Sequence, residues 1–387
     1  ISTSTFCGTC HDVTLLNGFR LEEAFSEYRA SPAAADGVSC QDCHMGKIQG
    51  KVSGYHEGPA AVVGGVPTVS RKLTNHIMAG PDYSLVHPGI FPHNAEAQQL
   101  ATLPEWLTFN VAAGWGTDKF EDNIPSGMAF PKAWASVDAR YDAREIIDYQ
   151  LKRLAYVRTL RLEVLRNGYF LSDLKATKAD RNGIDIQAKV SNITTGHNTP
   201  TGFTGERLVW VRITVTDADG KVVFQSGDTD ANGDVRDNES AFVHAGELPL
   251  DEQLFNLQSR FLVQSVRGGE RERTVTIPYS TTSLPFLRPT RLSLVLTGES
   301  TVERNHRKGI EPLGHRIAKY EIDGDMLTGK GPYQAKVELL AQMFPINLIS
   351  TIQVVGFDYG ISPRAAANAV VAGREVLYEE NLTINVK

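Results

Sequence analysis

At 387 residues the chain is long enough for two domains, or for one large core with a satellite. Charged residues make up 22% and apolar residues 41%, the proportions of an ordinary globular protein. The formal net charge of -6 leaves no electrostatic footprint for nucleic acid or an acidic membrane surface, and no apolar run approaches the length of a membrane span.

All four cysteines fall in two copies of one motif near the amino end, Cys7-Gly8-Thr9-Cys10-His11 and Cys40-Gln41-Asp42-Cys43-His44. Each reads as a covalent haem c attachment site. Two thiols three residues apart lie on one side of a helical turn, where they can form thioethers to the two vinyl groups of one porphyrin. The histidine that follows is carried under the iron as its proximal ligand. Four thiolates would also suit tetrahedral zinc, but that alternative leaves both histidines unexplained and needs a longer gap than zinc ribbons use. A thioredoxin-like redox pair fits less well, because neither pair opens a helix after a buried strand. Haem c is attached outside the cytoplasmic membrane, so the motifs imply export, a lost signal peptide and no disulfide.

Between the motifs, Leu21, Ala24, Phe25 and Tyr28 have helical spacing, predicting a helix over 19–29 that ends at Ser31-Pro32. From Met45 to Pro131 the chain is rich in Gly, Pro and aromatics. Loops of that length are unusual unless something else supplies a core. Haem faces would do so, with Trp106, Trp115, Phe120, Phe130 and Trp134 as candidates to cover porphyrin edges and ordinary core packing as the alternative for each. Ile147, Leu151, Leu154, Val157 and Leu160 then predict a long amphipathic helix over 141–166.

After Gly168 the period becomes alternating. Segments 184–190 and 209–215 read as half-buried strands, Asp217-Ala218-Asp219-Gly220 as a hairpin turn, and 274–277 and 292–296 as further strands. Ser362-Pro363 opens an Ala-rich helix that stops at Gly373, and a last strand follows. The expected fold is α+β: a loop-rich and helical dihaem domain over 1–140, a bridging helix over 141–167, and a β-sandwich-like domain over 168–387.

The other axial position on each iron decides the function. A second protein ligand makes an electron carrier, whereas an open position permits chemistry on a small molecule. His76 in the segment Asn75-His76-Ile77-Met78-Ala79-Gly80, then His87 and His93, lie in the loop-rich part, and His197 lies on a Gly/Pro loop between two expected strands. Bis-His ligation of both irons is expected, with Met78 as a substitute ligand that would raise the potential.

The two haem motifs, the segment around His76 and the loop Thr194-Thr195-Gly196-His197-Asn198-Thr199-Pro200-Thr201-Gly202 resemble the multihaem c-type cytochromes secreted by metal-reducing bacteria. The resemblance covers most of the chain. It implies closely spaced bis-His haems that pass electrons without chemistry on a substrate, with His76 and His197 as distal ligands and His87 and His93 next. It also implies an extracellular location, with redox proteins or extracellular electron acceptors as partners. Having few haems for its size, the chain departs from that family. Stacking into a homo-oligomer or conducting filament, with a spare histidine ligating iron in a neighbour, would restore a continuous path; a monomeric shuttle is the alternative.

Asp228, Asp230, Asn232, Asp234 and Glu239 match the spacing of a calcium loop, with Gly233 at the sharp turn. A solvated acidic turn is the alternative, and Arg236 places a positive charge near the centre. The competing function is enzymatic: a dihaem peroxidase or a small multihaem reductase with one five-coordinate iron. A third reading makes the β domain an adhesion or assembly module.

Overall fold

A computed structural model of the chain describes residues 3–14, 20–85, 94–266, 272–276, 302–357 and 361–386. The first motif begins on a short helix, α1 (Ser4–Gly8), whose Cys7 carbonyl accepts hydrogen bonds from both Cys10 N and His11 N. Two short strands follow, β1 (Val13–Thr14) and β2 (Arg20–Glu22), before α2 (Ala24–Arg29). The helix expected over 19–29 is therefore shorter at its start, because Arg20–Glu22 pair with β1 as a strand. Ser31-Pro32 ends α2 and also starts another turn: the Ser31 hydroxyl accepts from Ala34 N, opening α3 (Pro32–Ala35). The second motif is itself a helix, α4 (Cys40–His44), closed at its N-terminus by a reciprocal pair between Ser39 and Asp42.

A hairpin arm leaves the second motif. It is built from β3 (His56–Pro59) and β6 (Ser70–Leu73), with β4 (Val62–Val63) and β5 (Val66–Pro67) at its tip. Val62, Val63, Val66 and Val69 on it are all exposed. At its root Lys72 lies over the Tyr55 ring, and the Tyr55 hydroxyl donates to Asp42 at 2.6 Å.

Short helices α5 (Ala95–Leu100), α6 (Leu103–Trp106) and α7 (Asp118–Glu121) then surround the start of a long helix, α8 (Val137–Gly168). Their core is aromatic. Trp106 and Trp134 have ring centroids 5.0 Å apart, Phe109 and Trp134 5.1 Å, and Trp115 and Phe130 5.1 Å. Trp106 and Trp134 are fully buried, and their indole N–H groups donate to Ala97 O and Glu105 O. Arg140 reaches into this core, paired with Glu121 and donating to the carbonyl of Trp134 at 2.7 Å. A side-chain carbon at Gly116, whose φ is +72, would lie 2.1 Å from the Arg140 carbonyl, so only glycine allows that approach.

The C-terminal part of the chain is dominated by antiparallel sheet, and the fold class is α+β. Strands β7 (Tyr169–Asp180), β8 (Gly183–Asn192), β9 (Leu208–Thr216) and β10 (Val222–Ser226) precede the small helix α9 (Ala241–His244). After β11 (Arg260–Val266), β12 (Glu272–Thr276) and β13 (Val302–His306) come β14 (His315–Asp323) and β15 (Tyr333–Gln342). The chain ends with α10 (Ile346–Ile352), α11 (Pro363–Ala372) and β16 (Glu375–Ile384). One sheet has the order β10-β9-β15-β16, a second β14-β8-β7 and a third β12-β11-β13. The inner faces of the first two share one core, in which alternate residues such as Ile184, Ile186, Val211, Ile213, Tyr320 and Val337 are buried. The strand expected at 292–296 lies outside the described residues. Where α8 reaches the sheets, Arg158 Nε donates to Glu375 at 2.7 Å and Arg161 pairs with the same buried carboxylate. Leu151, expected on the apolar face of α8, is exposed, because the middle of the helix runs between the aromatic core and the sheets.

Candidate haem-binding site

The two motifs are neighbours. Cys40 N donates to the Ser4 hydroxyl at 3.0 Å, and the Gln41 amide donates to Thr3 O at 2.9 Å, so α4 lies against α1. A side-chain carbon at Gly8 would meet the Phe25 ring at 2.5 Å, which fixes α1 closely on α2. The Cys7 thiol sits beside Cys40; burial and that neighbour raise it. Burial, followed by the nearby Asp42 carboxylate, pushes Cys43 up to about 11. None of the four cysteines is in a disulfide. Among the described residues no group of three His, Cys, Asp or Glu side chains converges as a metal site, so the four-thiolate zinc alternative has no geometry to support it.

The His197 loop closes on the second motif. The imidazoles of His44 and His197 are nearly parallel, with an interplanar angle of 9° and centroids 6.1 Å apart. With metal–imidazole bonds of about 2 Å, two rings donating to one metal from opposite sides place their centroids roughly 6 Å apart. Burial pushes His44 down to about 4, and the proximity of His197 and His11 adds to this, so the ring is neutral and able to donate a lone pair at neutral pH. The Nδ1 of His197 lies 2.8 Å from Asn198 O, which orients the ring with its Nδ1–H on the carbonyl and its Nε2 available.

That loop is held by a carboxylate from the haem segment. Glu27 accepts from Asn198 N at 3.2 Å, Asn198 Nδ2 at 2.9 Å and the Thr201 hydroxyl at 2.6 Å, and Arg307 pairs with it from the other side. Asn192 Nδ2 donates to His197 O at 2.9 Å, and Ala33 N donates to Thr195 O at 3.0 Å. Sequence reasoning picked out His197 but missed Glu27, which reads only as a charge on a predicted helix face.

The first motif has a different partner. His11 Nδ1 lies 2.9 Å from Glu22 Oε1, with the carboxylate 7% exposed and the imidazole 63% exposed. His76 is exposed on the surface, its Nε2 3.0 Å from the Thr74 hydroxyl, on a segment tied to the second motif by Asn75 N donating to Met45 O at 2.9 Å. Neither His11 nor His44 is paired with the His76 ring. His87 and His93 lie outside the described residues. The five aromatics considered as porphyrin covers pack on one another in the core beside α8 instead.

The residues fit a haem at the second motif. Besides the two facing imidazoles, Gln49 is fully buried with neither side-chain amide atom hydrogen-bonded among the described residues. The next residue, Gly50, donates its N–H to Cys43 O at 2.9 Å, so this orphaned amide is beside the motif. A buried amide lacking partners marks a place where a further polar group belongs.

The residues of the expected calcium loop do not fit that ion. The Asp228 carboxylate is held by Arg236 at 2.7 and 2.9 Å. Asp230 Oδ1 accepts three backbone N–H groups of its own loop, its Oδ2 accepts from the Ser240 hydroxyl at 2.6 Å, and Asp234 Oδ1 accepts from Ile346 N at 2.6 Å. With Asn232 Oδ1 taken by Arg364, oxygens that would face a cation bind protein donors, and the segment is an acidic turn that docks α10. Glu239 does not join those carboxylates as a ligand set.

No family model matches the chain, and no curated protein sequence matches it. A penta-haem cytochrome c552 from Thermochromatium tepidum is similar in structure at 15% sequence identity and a TM-score of 0.43. The match covers 99% of this chain and 56% of that one, so the chain spans little more than half the length of that neighbour.

Proposed function

We propose that this chain is an exported dihaem c-type cytochrome that carries electrons and transforms no substrate. The observation that supports the reading best is the parallel pairing of His44 and His197 at 6.1 Å, on a motif whose two cysteines form no disulfide. In this reading Cys7 and Cys10 hold one porphyrin with His11 as proximal ligand. Cys40 and Cys43 hold the other, with His44 proximal and His197 distal. The haem supplies one-electron chemistry. The chain would bind it, fix the imidazoles and supply His44 and His197 as ligands at the second motif. The contact between Cys7 and Cys40 brings the attachment points together, which favours electron exchange between the groups. His76, His87 and His93 are the candidates for the remaining axial position.

Among the described residues no helix is long and apolar enough to cross a membrane. Release to the periplasm or cell exterior, redox proteins or extracellular acceptors as partners, and stacking of copies into a filament belong to the proposal through the family resemblance. Intact mass of the secreted protein with two haem additions, together with two low-spin spectra, is the expected result. A high-spin haem that takes up cyanide or nitrite would favour the peroxidase or reductase reading instead. Electron microscopy showing only discrete particles at high concentration removes the filament.

A further inference from the structure

The two proximal histidines differ in what holds their outer nitrogen. His11 Nδ1 is 2.9 Å from a carboxylate, Glu22, whose side chain is 7% exposed. Among the described residues no carboxylate pairs with the His44 ring, and its facing partner His197 rests on a neutral backbone carbonyl. The position of Glu22 is built, not incidental: it lies on β2 opposite Val13, two residues after His11. Phe25 N donates to His11 O at 2.9 Å, so the next element clamps the same residue. Gly202 of the loop carrying His197 packs on this carboxylate, where an added side-chain carbon would lie 3.2 Å from Glu22 Oε1.

A buried carboxylate accepting the Nδ1–H of an iron-bound imidazole fixes the tautomer and makes the ring a stronger electron donor. This stabilises the oxidised metal and lowers its potential. A backbone carbonyl orients the ring without a full negative charge. We infer that Glu22 is a positioning residue that makes the haem on the Cys7–His11 motif the lower-potential member of an unequal pair, so that electrons enter there and leave by the Cys40–His44 haem. This inference rests on the dihaem reading.

The test is redox titration of the complete haem-loaded protein with Glu22→Gln, which keeps an acceptor oxygen but removes the charge, and Glu22→Ala, which removes both. Outer-ligand changes alter metal affinity or activity by about 10-fold to 100-fold, and the lower end of that range sets the scale for a differential effect on the two oxidation states. The expected effect in Glu22→Gln is therefore roughly a tenfold shift in the reduction equilibrium, or ~59 mV upward, confined to one haem. The same substitution should shift the electron paramagnetic resonance g-values of that ferric haem only. Glu22→Ala should also broaden its signal, because the ring is no longer held. Two low-spin haems with both potentials unmoved, or moved equally, overturn the inference and leave the dihaem reading standing. A polypeptide carrying no haem mass overturns that reading, and this inference with it.

Discussion

Replacing Glu27 with alanine tests the joint between the haem segment and the sheets. Its carboxylate, with a side chain 10% exposed, takes three hydrogen bonds from Asn198 and Thr201 and faces Arg307. A hydrogen bond to a charged group contributes ~1.5–3 kcal/mol, bonds sharing one acceptor are not additive, and the exposed Arg307 contact adds little, so losing the carboxylate should cost about 3 kcal/mol in all. The loop from His197 to Thr201 should therefore open more readily by about that amount. At ~1.4 kcal/mol per factor of ten, hydrogen exchange at the Asn198 amide should accelerate by roughly 100-fold or more, with the sheet core unaffected. Glu27→Gln keeps one acceptor oxygen and should give a smaller acceleration. In the haem-loaded protein the alanine variant should also lose part of one low-spin signal, since His197 is no longer held opposite His44. Unchanged protection at Asn198 in Glu27→Ala would refute the reasoning, because those donors would then be satisfied by something other than this carboxylate.

If the dihaem reading holds, His197→Ala should convert one haem to a high-spin form that binds cyanide while leaving haem mass unchanged; two low-spin haems in that variant would show that another side chain closes the iron. Arg140→Met strands the buried Glu121 carboxylate and the Trp134 carbonyl, and should cost about 3–5 kcal/mol; an unchanged denaturation midpoint contradicts this. Burial pushes Asp234 up to about 7, so the folded chain binds a proton there more tightly than the unfolded one. Its contribution is fully present below about pH 4 and is lost as the pH rises through the folded value. Asp234→Asn keeps the oxygen that accepts from Ile346 N and should flatten the fall in stability between those limits, which denaturation across a pH series measures.

Much of the C-terminal half was readable because apolar alternation and turn chemistry agree there. The segments at 184–190 and 209–215 fall within β8 and β9. The Ser362 cap, the proline after it and Gly373 bound α11 in the structure. β15 was not readable: its Lys, Glu, Leu, Ala and Gln favour helix, and its buried run from Val337 to Gln342 has no alternation because this central strand is covered on both faces. β7 was obscured by two register shifts and a positive φ at Asp173. At the site, the cysteine spacing and the glycine-histidine loop stand out in the sequence, whereas Glu22 and Glu27 do not. A carboxylate's role depends on which donors the fold brings to it. The calcium reading failed for the same reason, since spacing counts oxygens but not the arginine and backbone groups that occupy them.

The link from Glu27 to Asn198 spans 171 positions, and this has a consequence for biosynthesis. During synthesis from the amino end, both cysteine pairs emerge well before the strands that carry the histidine loop. On the dihaem reading, porphyrin attachment would thus precede the folding of the sheets, and completion of the β half would then seal the second iron, making ligand closure a late report that the histidine loop has docked.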